Sequence, residues 1–496
     1  MIWTRDALHD LIATRLQGHR VIVVANREPY VHRHENGQIA CILPASGMAT
    51  ALNPIMHACG GTWVAHGSGD ADREMVDEHD RIAVPPEDPK YTLRRVWLSP
   101  EDEEGFYYGL SNGGLWPLCH ITFTRPVFEP AHWEAYERVN RIFAQAVLEE
   151  VGDEPAFVFI QDFHFCLLPR LLKQAGKKLI IAHFWHIPWP NREVFRAFPW
   201  GDALLDGLLG NDLLGFHVHY HCQNFLDTVD RSIEALVDPD RYEITRGGRI
   251  TMIRPFPISI DFAAHDALAR TPQVDRAMDG WRRRLGLKEN DILGIGIERL
   301  DYTKGIPDRL RAIEHLLESS PDYHDRLRFI QVAVPSRSAV PEYRRLEREA
   351  VALVEQINAR FGTDRWLPIT WIPEHQSSIS MMALHRLAHF GTVSSLHDGM
   401  NLVAKEFVAS RFDLDAVLIL SKFTGAAREL ADALQVNPFA IGEVADAMRQ
   451  AIEMPVEERQ KRMERLRDQV AANNVYRWAG KILSTLLRFE IPEGDA

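Results

Sequence analysis

Several features that would assign a chain to a familiar class are missing here. The 496 residues contain no CxxC pair, and the five cysteines (Cys41, Cys59, Cys119, Cys166, Cys222) are odd in number. The plain reading is reduced, mostly buried thiols rather than a disulfide framework. No run of 18 consecutive apolar residues occurs, so no membrane span is expected. The opening MIWTRDALHDLIATRL lacks the apolar core and small-residue cleavage site of a secretory signal, and the expected location is the cytoplasm. Basic charge is in deficit: 56 Lys+Arg stand against 69 Asp+Glu, a net charge of −13. That argues against a nucleic-acid binder, but not against a local basic pocket for phosphates. Neither a GxGxxG nor a P-loop lysine pattern is found, and there is no internal repeat or low-complexity tract.

What is present is ordinary globular composition, 46% hydrophobic and 25% charged, over a length that suggests about two large α/β domains. Short apolar runs alternate with helical patterns. They include VIVVAN from Val21, AFVFIQD from Ala156, KLIIAHFWH from Lys178 and DLLGFHV from Asp212, then ILGIGI from Ile292, RFIQVAV from Arg328, FGTVSS from Phe390 and AVLILS from Ala416. Apolar strands alternating with helices indicate parallel sheets covered on both faces. Two such series predict two doubly wound domains, and the prolines at Pro255 and Pro257 mark the break. Pro455 to Val470 reads as a charged, solvated helix. NVYRWAGKILSTLLRFE after it carries apolar residues at helical spacing and must pack on something. Ligands of open α/β sheets sit beyond the carboxyl ends of the strands, and the cleft between two such domains is the expected site.

The candidate residues fall at those ends. Arg299 and Lys304 follow an apolar strand in a loop with Gly305 and suit a diphosphate; the plain alternative is two solvated cations. Asp398-Gly399 turns into a helical segment whose first amides favour an anion. Glu406 lies about two helical turns beyond Asp398, and the two carboxylates suit sugar and ribose hydroxyls, unless Asp398 merely caps the helix. Asp162 and His186 each follow a strand-like run. Arg27 follows the first strand, and Gly47 sits in a small-residue loop that allows close approach to a phosphate. His217, His219 and His221 alternate and would share one face of a strand, but only Cys222 is nearby and it would point away; no metal is expected.

Taken together, these motifs resemble the trehalose-6-phosphate synthase family of GT-B glycosyltransferases (family 20). The likeness runs from about Val21 to about Leu486. It rests on NRE at Asn26, GGTWVA at Gly60, YYGLSNGGLWPL at Tyr107, QDFHFCLLP at Gln161, HIPWP at His186 and LLGNDLLGFH at Leu208. It continues in ERLDYTKGIP at Glu298, QVAVPSR at Gln331, HDGMNLVAKEF at His397, LSKFTGAAREL at Leu420 and VNPF at Val436. The resemblance implies two Rossmann-like domains facing a cleft. Residues 1–257 would bind the acceptor and 258–474 the nucleotide-sugar, with a helix over 475–496 crossing back to the first domain. It also implies a retaining glucosyltransferase making trehalose 6-phosphate from UDP- or ADP-glucose and glucose 6-phosphate, with no cofactor or metal. Arg299 and Lys304 would take the donor diphosphate and Asp398 the glucosyl hydroxyls. The amides around Met400, Asn401 and Leu402 would meet phosphate and sugar, and Glu406 the ribose. Arg27, Tyr107 and Arg337 would hold the acceptor phosphate, Trp63 and Trp116 would line its pocket, Asp162 would face the acceptor hydroxyls and His186 the transferred glucose. Oligomeric state is left open, a homo-oligomer included.

The chain departs from the family pattern in four places. Ser46 precedes Gly47 where many members have two glycines, and His397 replaces arginine before DGMN. Trp189 replaces phenylalanine in HIPWP and is followed by Asn191 and Arg192. NREPY at Asn26 is similar to the HREPY segment of glucosylglycerol-phosphate synthases. Their reaction, from ADP-glucose and glycerol 3-phosphate, is therefore the alternative enzyme reading. A silent sugar-phosphate sensor is the alternative of another class, and the retention of Arg299, Lys304, Asp398 and Glu406 speaks against it.

Overall fold

The computed structural model describes residues 3–15, 19–43 and 47–488. The chain forms two compact units, residues 1–258 with 475–496 and residues 259–474. Among the described residues, no helix is long and apolar enough to cross a membrane.

The first unit is built on a ten-stranded sheet. Its strands are β1 (Arg20–Arg27), β4 (Thr62–His66), β5 (Arg81–Val84), β6 (Tyr91–Val96), β7 (Ala156–Gln161), β8 (Leu179–Phe184), β9 (Leu213–Phe216), β10 (Leu236–Asp238), β11 (Glu243–Arg246) and β12 (Arg249–Pro255). A separate antiparallel hairpin joins β2 (Val31–Glu35) to β3 (Gln38–Ile42). The sheet order is β10-β11-β12-β9-β8-β7-β1-β4-β6-β5. Pairing is parallel from β12 through β6 and antiparallel at the two edges. Sequence and burial agree on why. The central β8, LIIAHF, is buried at every position, as a strand covered on both faces must be. The edge strand β10 has no buried residue. The helix Val475–Leu486 belongs to this unit. Its Trp478 ring packs on Phe159 of β7 and Phe184 of β8, with centroids 6.0 and 5.0 Å apart.

The second unit carries a wholly parallel six-stranded sheet: β13 (Ile292–Leu300), β14 (Leu327–Pro335), β15 (Ile369–Ile372), β16 (Phe390–Val393), β17 (Val417–Ser421) and β18 (Leu434–Val436). Its order is β15-β14-β13-β16-β17-β18. Among the parallel strands of each sheet the order reverses at one strand, β1 in the first and β13 in the second, and such a switch point opens a crevice at the carboxyl ends.

Two sequence expectations change. The helix expected over Pro455 to Val470 spans Val456–Ala472 and is not wholly solvated, because Met463, Leu466 and Val470 are buried. The three alternating histidines do not share a strand. β9 ends at Phe216, Val218 is extended, and His219 opens the helix His219–Ser232. Helical spacing disperses the row, and His217 Nε2 is 2.9 Å from the carbonyl of His186. Among the described residues, no group of three His, Cys, Asp or Glu side chains is arranged to hold a metal ion.

Candidate active site

In the second unit, β13 delivers Arg299 within its last turn of strand rather than beyond it. A short 3-10 turn, Tyr302–Lys304, follows directly. Gly305 then takes a left-handed φ of +64°, and a Cβ there would lie 2.4 Å from the carbonyl oxygen of Ser394. Only glycine allows the chain to pass so close to the β16 loop. The turn places Lys304 Nζ 2.5 Å from Asp398 Oδ2. Asp398 does not cap the next helix. Asn401 does, its Oδ1 accepting from the Ala404 amide at 3.1 Å. Asn401 Nδ2 also donates to Asp398 Oδ2 at 3.1 Å. Asn401 holds a left-handed φ of 80°, so Met400, Asn401 and Leu402 enter the helix Leu402–Ser410, whose first-turn amides have no partner within the helix. Glu406 lies in the same helix. Burial raises its carboxyl, and His265 nearby opposes that.

A layer beneath these residues was missed by the sequence reading. Arg309 is 1% exposed and pairs with Glu298. It also donates to Gln331 Oε1 at 2.8 Å, to Ser394 Oγ at 3.0 Å and to the Lys304 carbonyl at 3.4 Å. The Asp398–Met400 loop is braced from the other side by Gly425. Its amide donates to the Asp398 carbonyl at 3.2 Å, and the Ala426 amide donates to the Met400 carbonyl at 2.9 Å. A Cβ on Gly425 would lie 2.0 Å from the Gly399 oxygen. Gly425→Ala is therefore expected to displace that loop and lower kcat about 100-fold, the usual cost of roughly 1 Å of misplacement. Steady-state turnover checks it, and a loss below threefold contradicts it.

The first unit gathers the other candidates at the carboxyl ends of β1, β7 and β8. Arg27 closes β1 and is exposed, and its Nη2 donates to Tyr107 Oη at 3.0 Å. Tyr107 belongs to an uncommon π-helix, Glu104–Leu115, and its ring stacks on His164 with centroids 5.8 Å apart. Asp162 follows β7 with a φ of 68°, a strained conformation for a non-glycine residue and one that clusters at functional sites. Its Oδ1 accepts from the His186 amide at 3.3 Å. His186 Nε2 donates to Gln161 Oε1 at 2.9 Å. Burial, reinforced by His217, His183 and His164, drives the His186 ring well below its ordinary pKa. It is a neutral imidazole with Nδ1 left as its acceptor.

The remaining candidates are placed differently. Trp116 is buried beneath this group, 5.9 Å from the Phe163 ring. Trp63 is not brought to it: the ring is fully buried and stacks on Tyr91 at 6.3 Å. The residue of β4 in register with Arg27 is His66. Gly47 begins the helix Gly47–Cys59, while Ser46 lies outside the described residues. Arg337 belongs to the second unit. With a φ of 51°, it donates to Tyr343 Oη at 2.6 Å and reaches Asp301 Oδ2 at 3.4 Å.

The model of glycosyltransferase family 20 matches residues 19–488. A trehalose-6-phosphate synthase of Mycobacterium avium is 37% identical over 473 residues, 94% of each chain. A bifunctional trehalose-6-phosphate synthase/phosphatase of Thermoproteus tenax is 36% identical over 481 residues, 94% of this chain, which spans 63% of that longer protein. Among solved structures, an α,α-trehalose-phosphate synthase (UDP-forming) from Burkholderia xenovorans in complex with glucose-6-phosphate superimposes with a TM-score of 0.85 at 30% identity, covering 94% of this chain and 99% of that one. The chain belongs to glycosyltransferase family 20, the retaining glycosyltransferases it resembled by motif.

Proposed function

We propose that the protein transfers glucose with retention from UDP-glucose to glucose 6-phosphate, giving α,α-trehalose 6-phosphate. The observation that carries this reading is the Lys304–Asp398–Asn401 constellation, closed at 2.5 and 3.1 Å, in a chain 30% identical to a UDP-forming synthase solved with glucose-6-phosphate. Arg299, Lys304 and the first-turn amides of the helix Leu402–Ser410 would stabilise the negative charge of the departing diphosphate. Asp398 would hold the glucosyl hydroxyls and Glu406 the ribose. The bond from the anomeric carbon to the β-phosphate oxygen breaks, and one from that carbon to the acceptor hydroxyl oxygen forms on the same face. The hydroxyl proton passes to the leaving phosphate oxygen. His186, neutral and anchored by Gln161, would accept a hydrogen bond from the transferred glucose. Arg27 and Tyr107 would hold the acceptor phosphate, and Asp162 would face the acceptor hydroxyls.

The NREPY segment does not call for a different acceptor. Only Arg27 points outward. Glu28 is 1% exposed and pairs with Arg95, and Tyr30 is buried with its hydroxyl accepting from Asn53. The likeness to HREPY thus rests largely on side chains that pack inward. The five free thiols suit a reducing cytoplasm, where nucleotide-sugars would be met. The deciding experiment incubates the protein with UDP- or ADP-glucose and with glucose 6-phosphate or glycerol 3-phosphate, following nucleotide release. Turnover is expected with glucose 6-phosphate, and turnover with glycerol 3-phosphate alone overturns the reading.

A further inference from the structure

Asp301 stands between two arginines and is fully buried. Its Oδ1 is fixed by Thr303, accepting from the amide at 3.0 Å and from the hydroxyl at 2.9 Å. Its Oδ2 is shared. Tyr343 Oη donates to it at 3.3 Å, Arg337 Nη1 lies at 3.4 Å and Arg299 Nη2 at 4.0 Å. Burial alone would raise this carboxyl, yet Arg337, Arg299 and Lys304 together hold it below its ordinary range, so it is a carboxylate. Tyr343 accepts from Arg337 at 2.6 Å while donating to Asp301, which ties Arg337 to this side of the carboxylate. Arg299 is the more distant of the two guanidiniums and the more exposed, at 38% against 6%.

We propose that Asp301 is a positioning residue shared by Arg299 and Arg337: while Arg337 occupies its Oδ2, Asp301 competes little for Arg299, and when Arg337 is withdrawn, Asp301 competes with the diphosphate for Arg299. This rests on the reading of Arg299 as a ligand of the donor diphosphate. A carboxylate 4.0 Å from a guanidinium needs only a small side-chain rotation to reach full ion-pair contact, and a buried carboxylate that loses one partner is strongly driven toward the other. The nucleotide site and the site that engages Arg337 are thereby linked through one oxygen atom. By reciprocity, the effect on each site is the same.

The test is a double-mutant cycle on nucleotide binding, which needs no acceptor. The affinity for UDP, and for ADP in parallel, is measured by calorimetry for the wild type, Arg337→Ala, Asp301→Asn and the double variant. Arg337→Ala is expected to weaken binding about fivefold, the lower end of ordinary site-to-site coupling, whereas the same change in the Asp301→Asn background has less than a twofold effect. Asp301→Asn alone is expected to bind nucleotide at least as tightly as the wild type, which a merely structural aspartate would not allow. Equal effects of Arg337→Ala in both backgrounds overturn the proposal and leave the functional reading standing. A wild type that binds neither nucleotide overturns both. Should Asp301→Asn not fold, Arg337→Ala and Tyr343→Phe carry the test: both are expected to weaken binding, Tyr343→Phe by less, and an unchanged affinity in both overturns the proposal.

Discussion

Replacing Lys304 by alanine is expected to lower kcat about 1,000-fold while leaving the fold intact. Two losses combine. On the proposed reading the ammonium is one of two cations that would stabilise the leaving diphosphate, and a single charge-stabilising donor is worth about 100- to 1,000-fold in kcat. Its Nζ also sits 2.5 Å from Asp398 Oδ2, an oxygen that Asn401 and Ser395 also bond, so its removal would alter the grip on the glucosyl hydroxyls proposed for Asp398. Folding is not endangered. Each side chain is 14% exposed, and the main chain is held independently, with the Lys304 amide donating to the Asp301 carbonyl at 3.0 Å and Gly305 setting the turn. Lys304→Arg is expected to recover little, because a planar fork cannot reproduce a compact charge at so short a contact. Nucleotide release gives kcat, and the thermal midpoint tests the fold. A loss below tenfold with the midpoint unchanged removes Lys304 from the chemistry.

The strands that carry the candidate residues were legible in the sequence because a parallel strand covered on both faces carries few polar side chains. VIVV, LIIA and VLIL announce themselves, and the polar residue ending such a run, Arg27, Asp162 or Arg299, stands out against it. The supporting layer was not legible. Arg309 and Arg311 sit two residues apart in one helix, and nothing in IPDRLRAIEHLL shows that the first is 1% exposed under the site while the second pairs with Glu349 at the surface. In β6 the alternation of Tyr91, Leu93 and Arg95 does put Arg95 on the buried face, but nothing in the sequence names the carboxylates that meet it there. Gly425 reads as an ordinary loop glycine until the Asp398–Met400 loop is seen to run against it. Trp63 shows the converse: a position carried over from a family motif lies in the core, 0% exposed.

The second large effect is expected at Arg95, in stability rather than chemistry. Arg95 is fully buried. It donates to Glu28 Oε2 at 2.9 Å, to the Asp72 carbonyl at 3.0 Å, to the Tyr30 carbonyl at 3.1 Å and to His32 Nδ1 at 2.8 Å, and it pairs with Asp72 Oδ1 at 2.8 Å. Arg95→Met would leave the Asp72 carboxylate buried without its cation. Breaking a buried pair from one side costs about 3–5 kcal/mol, which for a unit of this size is about 5–10 °C in Tm. Glu28 adds a pH dependence of known sign. Burial, chiefly, and its hydrogen bond with Asp72 push its carboxyl from 4.5 up to about 8, whereas Asp72 moves down: the Glu28 hydrogen bond and the His32 and Gly69 amides, with Arg95, outweigh its own burial. Glu28 therefore carries the proton and Asp72 the charge. A carboxyl with a raised folded pKa contributes stability that is complete below pH 4.5 and lost as pH rises through about 8. The wild-type unit should lose stability across that window, by at most about 1.4 kcal/mol per pH unit. Glu28→Gln, which keeps a donor toward Asp72 and cannot ionise, should flatten that slope, and thermal midpoints at pH 6 and pH 8 test it. A midpoint difference between the two pH values that is the same in Glu28→Gln as in the wild type would show that the proton resides elsewhere. Because Glu28 follows Arg27 directly and its Oε1 accepts from both the amide and hydroxyl of Ser68, the ordering of this cluster and the placement of the outward-facing arginine are the same structural fact.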